Sequence, residues 1–341
     1  MQRIIVRVPN WIGDAVLSTP ALAFLRKIYP DSHIAILTKK WAKDVFKANP
    51  SIDEIMTLNK SLLKASMEVR QKRFDSGLLF PDSFSSALLF FMAGIPQRMG
   101  YPTDGRYLLL NRRIRRSRDF KKEHQVMYFL RLVQALEDKS ISFESSSDIN
   151  LVWMVTDEER ERADTILKEV GLFSDRDVLV GINPGAAFGP AKRWFTDRYA
   201  KLADELVKRY NVKVIIFGGP QDCDITGEVA SLMKSSSINL AGKITLRELA
   251  AIIARCNVFI TNDTGPMHIA AAVGTKVVAI FGSTDPVRTS PWGEGHIIVK
   301  KEVECSPCLK PFCLRNDYKC LDMITVEDVL GLIEEKGILK H

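Results

Sequence analysis

No apolar run in this 341-residue chain approaches the roughly 18 residues that a helix needs to cross a bilayer. The opening MQRIIVRVPNW is short, is interrupted by Arg7 and has no small-residue cleavage site. It is not expected to act as a signal peptide, and the expected location is the cytoplasm. There is no GxxxxGK frame followed by Ser or Thr, hence no P-loop. Gly218-Gly219 lacks the third glycine and the spacing of a dinucleotide fingerprint. No basic platform interleaved with aromatics and no recognisable nucleic-acid module is present, so nucleic acid is not an expected partner. Short-period repeats and long low-complexity linkers are also missing.

The usual paired CxxC pattern of a zinc site is absent as well. Four of the six cysteines cluster as Cys305-x2-Cys308-x4-Cys313-x6-Cys320. Three states fit that spacing: thiols packing a loop, disulfides formed after purification, or a bound structural metal. The expectation is no metal, because the spacing departs from known zinc frames; a disulfide reading in turn conflicts with a cytosolic address.

What is present suits a globular protein with two cores. Apolar residues make up 46% and charged residues 26% of a length that is long for a single core. The net charge is +7, and part of it is local. Arg112, Arg113, Arg115, Arg116, Arg118, Lys121 and Lys122 are opposed in their own stretch only by Asp119. Such a stretch is either a solvated loop or a landing site for phosphate, an acidic glycolipid or an anionic membrane surface.

Short apolar runs at 4–8, 34–37, 55–58 and 77–80 predict buried strands separated by helices. Pro20 allows a kinked helix after Asp14, or a new helix with Thr19 as N-cap. A helix is predicted over 157–170, with acids in its first turn and Gly171 at its end. The strand pattern then restarts at 178–182, 212–217, 258–261 and 277–281, with helices near 197–209, 246–255 and 266–273. Alternation of this kind predicts parallel sheets with right-handed crossovers. The expected fold is α/β: two Rossmann-like, doubly wound parallel-sheet domains, 1–155 and 156–325, facing a central cleft. A last helix begins near 326, and 326–341 is a candidate to return to the first domain.

Two loops stand at predicted strand ends, where open α/β sheets bind ligands. In the first half it is Pro9-Asn10-Trp11-Ile12-Gly13-Asp14. Asp14 is either a helix N-cap or a general base. In the second half Asn262-Asp263-Thr264-Gly265-Pro266-Met267-His268 leads into a helix whose first residue is expected to be Pro266. Its N-terminal N–H groups suit a diphosphate, whether or not Asp263 or Thr264 also caps it. His268 is either a core residue or a ligand. A third loop, Asn183-Pro184-Gly185-Ala186 followed by Gly189-Pro190-Ala191-Lys192-Arg193-Trp194, offers glycines and two cations to an anion, or is a turn with exposed bases.

These strings resemble the ADP-heptose:lipopolysaccharide heptosyltransferases of glycosyltransferase family nine. The residues that carry it are PNWIGDAVLSTPAL at 9–22, NPGAAFGPAKRW at 183–194, NDTGPMHIAAA at 262–272 and CSPC at 305–308. The heptosyltransferase II branch is the nearest in pattern, with Ala187 where that branch commonly has Glu. The resemblance implies a GT-B fold and inverting transfer of L-glycero-D-manno-heptose from ADP-heptose. The implied acceptor is the first heptose of the lipopolysaccharide inner core (heptosyl-Kdo-lipid A), at the cytoplasmic face of the inner membrane. It implies Asp14 as base and Lys192 on the donor phosphates. Asn183, Gly185, Asp222, Asp263, Thr264, Gly265, Met267 and His268 would bind the donor, with Asp222 toward the ribose and Asp263 toward heptose hydroxyls. Trp11, Gly13, Arg112, Arg113, Arg115 and Arg116 would bind the acceptor. ADP-heptose is then a substrate, and no cofactor is required. Competing readings are another sugar-nucleotide enzyme on the same scaffold, or a non-catalytic sugar-nucleotide-binding protein. Retention of both Asp14 and Lys192 favours an enzyme.

Overall fold

The computed structural model describes residues 2–136, 149–173 and 177–339. The chain divides into two units, the first ending at Met154 and the second starting at Val155. The first holds a parallel sheet of β1 (Arg3–Arg7), β2 (His33–Thr38), β3 (Glu54–Thr57), β4 (Ser76–Leu79), β5 (Gln97–Gly100) and β6 (Arg112–Arg113), in the order β3-β2-β1-β4-β5-β6. Its helices are α1 (Ile12–Leu17), α2 (Thr19–Ile28), α3 (Leu62–Gln71), α4 (Phe84–Met92) and α5 (Gln125–Gln134). Ile4, Ile5 and Val6 are fully or almost fully buried, as a central strand covered on both faces requires. Pro20 marks a new helix and not a kink: α1 ends at Leu17, Ser18 is the N-cap of α2, and Pro20 lies in its first turn.

The second unit begins with α6 (Asp157–Glu169), which Thr156 and Glu159 start with a reciprocal capping box. Its strands are β7 (Leu179–Asn183), β8 (Lys213–Ile216), β9 (Ser237–Asn239), β10 (Val258–Asn262), β11 (Lys276–Ile280) and β12 (Ile297–Val299), ordered β12-β11-β10-β7-β8-β9 and all parallel. The other helices are α7 (Thr196–Tyr210), α8 (Cys223–Leu232), α9 (Leu246–Ile253), α10 (Gly265–Ala272), α11 (Pro286–Thr289), α12 (Lys319–Asp322) and α13 (Val326–Glu335). Val326, Val329, Leu330 and Ile333 of α13 are buried in the second unit's own core, packed toward α7 and β12.

Counted from its own first strand, each sheet has the same order, 3-2-1-4-5-6. The order reverses between β1 and β4 in the first unit and between β7 and β10 in the second. Those reversals open crevices at the carboxyl ends of the strands. The loops at 9–14, 183–194 and 262–268 leave three of these four strands, β1, β7 and β10. Among the described residues no helix is long and apolar enough to cross a membrane.

Candidate active site

In the second unit, β10 ends on Asn262, which is fully buried and ties two loops together. Its Nδ2 donates to the carbonyls of Pro184 (2.8 Å) and Gly185 (3.3 Å). Its Oδ1 accepts from the Trp194 N–H and from the Tyr199 hydroxyl, each at 3.0 Å. The loops after β7 and β10 are therefore held in register by one amide. The next residue, Asp263, accepts from Lys192 Nζ on Oδ2 at 2.7 Å, and its carbonyl lies 3.2 Å from the same nitrogen. Lys192 and Asp263 are 14% and 4% exposed, so water screens the pair little. Thr289 Oγ1 at the end of α11 also donates to Asp263 Oδ2, at 3.3 Å. The Phe188 ring lies 5.0 Å from Lys192 Nζ.

Helix α10 starts one residue earlier than expected, at Gly265, with Thr264 as N-cap. The Thr264 side chain makes no capping bond, Pro266 brings no N–H, and the Met267 N–H donates to the Thr264 carbonyl at 3.1 Å. Met267 and His268 are buried in that turn. Asn183, 2% exposed, donates to the Gly185 carbonyl, while its Oδ1 is buried without a hydrogen-bond partner.

Gly185 has a role its sequence context did not show. A Cβ at this position would overlap the Asp222 carboxylate. The missing side chain lets Asp222, whose Oδ2 accepts from the Gly219 N–H at 3.0 Å, sit against the end of β7. Gly189 works similarly, since a Cβ there would overlap the Pro311 carbonyl, which accepts from the Ala191 N–H at 3.0 Å. The cysteine segment thus lies across the Lys192 loop. Its Leu309 N–H also donates to Ser283 O (2.8 Å), and its Ser306 Oγ donates to Gly282 O (2.7 Å). All six cysteines are unpaired, and burial raises the Cys320 thiol pKa. Among the described residues no group of His, Cys, Asp or Glu is placed to hold a metal.

In the first unit, the N-cap of α1 is Trp11, so Asp14 lies in the first turn and is not the cap. Trp11 is exposed, and Gly13 and Asp14 are half-buried. The loop is fixed by a residue that looked like a mere interruption of an apolar run. Arg7, 3% exposed, donates to the Val8 and Leu37 carbonyls and to Asn10 Oδ1. Its pKa is lowered to about 10 by burial. Trp41 Nε1 donates to Asn10 O at 2.9 Å.

The basic stretch is not one loop. Arg112 and Arg113 form the edge strand β6, paired with Met99 and Gly100. Arg112 Nη2 reaches the Leu136 carbonyl at 2.8 Å, beyond the C-terminus of α5. Arg113 stacks on Tyr107 at 3.6 Å, and Arg116 on Phe120 at 3.7 Å. Arg115 is exposed. Arg116 also lies 4.0 Å from Asp82, a carboxylate just beyond β4 that sequence reasoning missed. Asp82 accepts from the Tyr128 hydroxyl at 2.6 Å and from the fully buried Arg106 at 3.2 Å. Burial and the Asp82 charge push the Tyr128 phenol well above its ordinary range.

Residues 62–319 match the profile of glycosyltransferase family 9 (heptosyltransferase). The chain belongs to this family. It is 30% identical over 354 residues to lipopolysaccharide heptosyltransferase 2 of Salmonella typhimurium, covering 98% of this chain and 100% of that protein. The structure of the Escherichia coli ADP-heptose LPS heptosyltransferase II superposes with a TM-score of 0.80 at 27% identity, covering 98% of each chain. A glycosyltransferase family 9 structure from Veillonella parvula gives 0.84 at 29% identity, covering 98% of this chain and 97% of that one. This family 9 chain is thus an enzyme of the glycosyltransferase class with the GT-B fold, two Rossmann-like parallel-sheet units.

Proposed function

We propose that this family 9 enzyme is an inverting heptosyltransferase of the II type. It moves L-glycero-D-manno-heptose from ADP-heptose to the first heptose of the lipopolysaccharide inner core, at the cytoplasmic face of the inner membrane. The observation that carries the reading is the buried Lys192–Asp263 pair beside the N-terminus of α10, at the strand-order reversal of the second sheet. A cation beside the positive end of a helix suits a diphosphate.

In this reading the second unit binds the donor. Lys192 and the first turn of α10 take the diphosphate, Asp263 takes heptose hydroxyls, and Asp222 takes the ribose. The first unit binds the acceptor through the 11–14 loop and the exposed part of the basic stretch. Asp14 removes the proton of the attacking hydroxyl as its oxygen bonds to the anomeric carbon. The carbon–oxygen bond to the β-phosphate breaks on the opposite face, and its electron pair leaves with ADP. Lys192 neutralises the charge that grows there.

The test is product formation from ADP-heptose and a core acceptor bearing one heptose. Asp14→Asn keeps the size and should lower kcat on the order of 10²–10⁴-fold. Turnover equal to the parent would remove Asp14 as base. Failure of the parent with this pair, and success with another sugar nucleotide, would move the chain to a different reaction on the same scaffold.

A further inference from the structure

Six exposed large apolar side chains of the first unit fall on three successive elements. They are Leu63 and Met67 of α3, Phe84 and Phe91 of α4, and Tyr107 and Leu108 in the short helix Arg106–Leu109. Leu63, Met67 and Leu108 are 62%, 60% and 84% exposed. The elements are neighbours: α3 packs on α4, and α4 packs on the Arg106–Leu109 turn. The Phe84 N–H donates to Asp104 Oδ2 at 2.7 Å, fastening that turn to the start of α4. The inward residues of the same helices, Ala65, Val69, Ala87 and Phe90, already fill the core over this face of the sheet. The outward apolar residues are therefore not needed to close the fold. Single exposed apolar side chains are ordinary, whereas a set spread over adjoining elements marks a surface that meets something apolar.

The charge in this stretch is mostly positive. Residues 59–118 carry twelve basic and four acidic side chains, a net +8 against +7 for the whole chain, and of the twelve Arg106 is buried. Two of the cations lie against the apolar side chains themselves. Arg98 sits 5.3 Å over the Phe91 ring, with Nε donating to Leu109 O at 2.8 Å, and Arg113 is stacked on Tyr107. Lys60 and Lys64 are exposed at the start of α3. Apolar tips beside cations of one sign match a headgroup layer, where apolar groups reach the acyl boundary and cations meet phosphates.

We propose that the outward face of α3, α4 and residues 106–108 docks on an anionic lipid bilayer surface. It deepens the reading of a membrane-held acceptor, but its test requires no sugar transfer. The full chain is sedimented with vesicles of phosphatidylcholine alone, and of phosphatidylcholine mixed with phosphatidylglycerol. Binding is expected to the mixed vesicles and to fall with salt. The triple variant Leu63→Gln, Met67→Gln, Leu108→Gln should bind mixed vesicles roughly tenfold more weakly or worse. Its circular dichroism and its turnover of a water-soluble, delipidated acceptor should match the parent. Lys60→Gln with Lys64→Gln should weaken binding less and flatten its salt dependence. Equal binding by parent and triple variant overturns the proposal, as does equal binding to both vesicle types. Concentration-dependent self-association that the triple variant abolishes, without vesicle binding by the parent, would assign the face to a second copy instead. If parent and variant bind vesicles as expected but the parent transfers no heptose, the docking surface stands and the proposed reaction falls.

Discussion

Lys192 and Thr289 place their donors on the same oxygen, Oδ2 of Asp263, at 2.7 and 3.3 Å. Among the described residues no hydrogen bond reaches Oδ1. One carboxylate oxygen is thus clamped and the other is left to accept from a ligand. The clamp has two unequal members. In the proposed reading Lys192 is a charge that a donor diphosphate would compete for, whereas Thr289 is neutral and would keep Asp263 oriented when that charge is shared.

Lys192→Ala should therefore lower kcat as well as weaken donor binding, on the order of 10²–10³-fold in kcat. Charge on the departing diphosphate grows as the glycosidic bond breaks, so the cation acts more strongly in the transition state. Steady-state kinetics over a range of sugar nucleotide concentrations decides this. A change confined to KM would mean equal binding of ground and transition states.

Thr289→Val removes one hydrogen bond to a charged group while keeping shape. It should cost about 1.5–3 kcal/mol in kcat/KM for the sugar nucleotide. Affinity for ADP, which has no heptose to meet Asp263, should stay at the parent level by calorimetry. Thr289→Ser should restore turnover. Equal losses for ADP and the sugar nucleotide would show that Thr289 only supports the loop.

Gly185→Ala puts a methyl group where the Asp222 carboxylate lies. ADP binding should weaken, and Asp222→Ala should weaken it by a similar amount. The double variant should then be little worse than either single one, because both remove the same contact. Additive losses in a titration cycle would separate the two residues.

The arginines of the basic stretch should divide by role. Arg112→Gln loses the bond to Leu136 O and should lower stability by about 1 kcal/mol, with acceptor kinetics unchanged. Arg115→Glu with Arg116→Glu should raise the acceptor KM and flatten its salt dependence, while donor affinity holds. Denaturation midpoints and acceptor titrations at two salt concentrations read the two effects apart.

The buried strands were legible because both faces of a central parallel strand must be apolar, which leaves runs such as those of β1 and β10. The short edge strands were not. Arg112–Arg113 and Ser237–Asn239 lie at sheet edges and Gln97–Gly100 lies next to one, and their side chains carry no clear period. The site loops were legible from strand-end glycines, carboxylates and cations. What escaped was the second layer of contacts. Asn262, Arg7 and Thr289 act through carbonyls, amides and hydroxyls contributed by distant residues, and nothing local in the sequence announces those partners. Asp82 was missed for the same reason, since Tyr128 and Arg106 reach it only after folding.

The backbone of the cysteine segment, laid across the loop that bears Lys192, gives the molecule a built-in reporter position. Cys308 is exposed and immediately precedes Leu309, whose N–H ends on Ser283 beside that loop. A fluorophore coupled to this native thiol would sit within a few bonds of the strap. Its emission would follow displacement of the Lys192 loop without any cysteine having to be introduced.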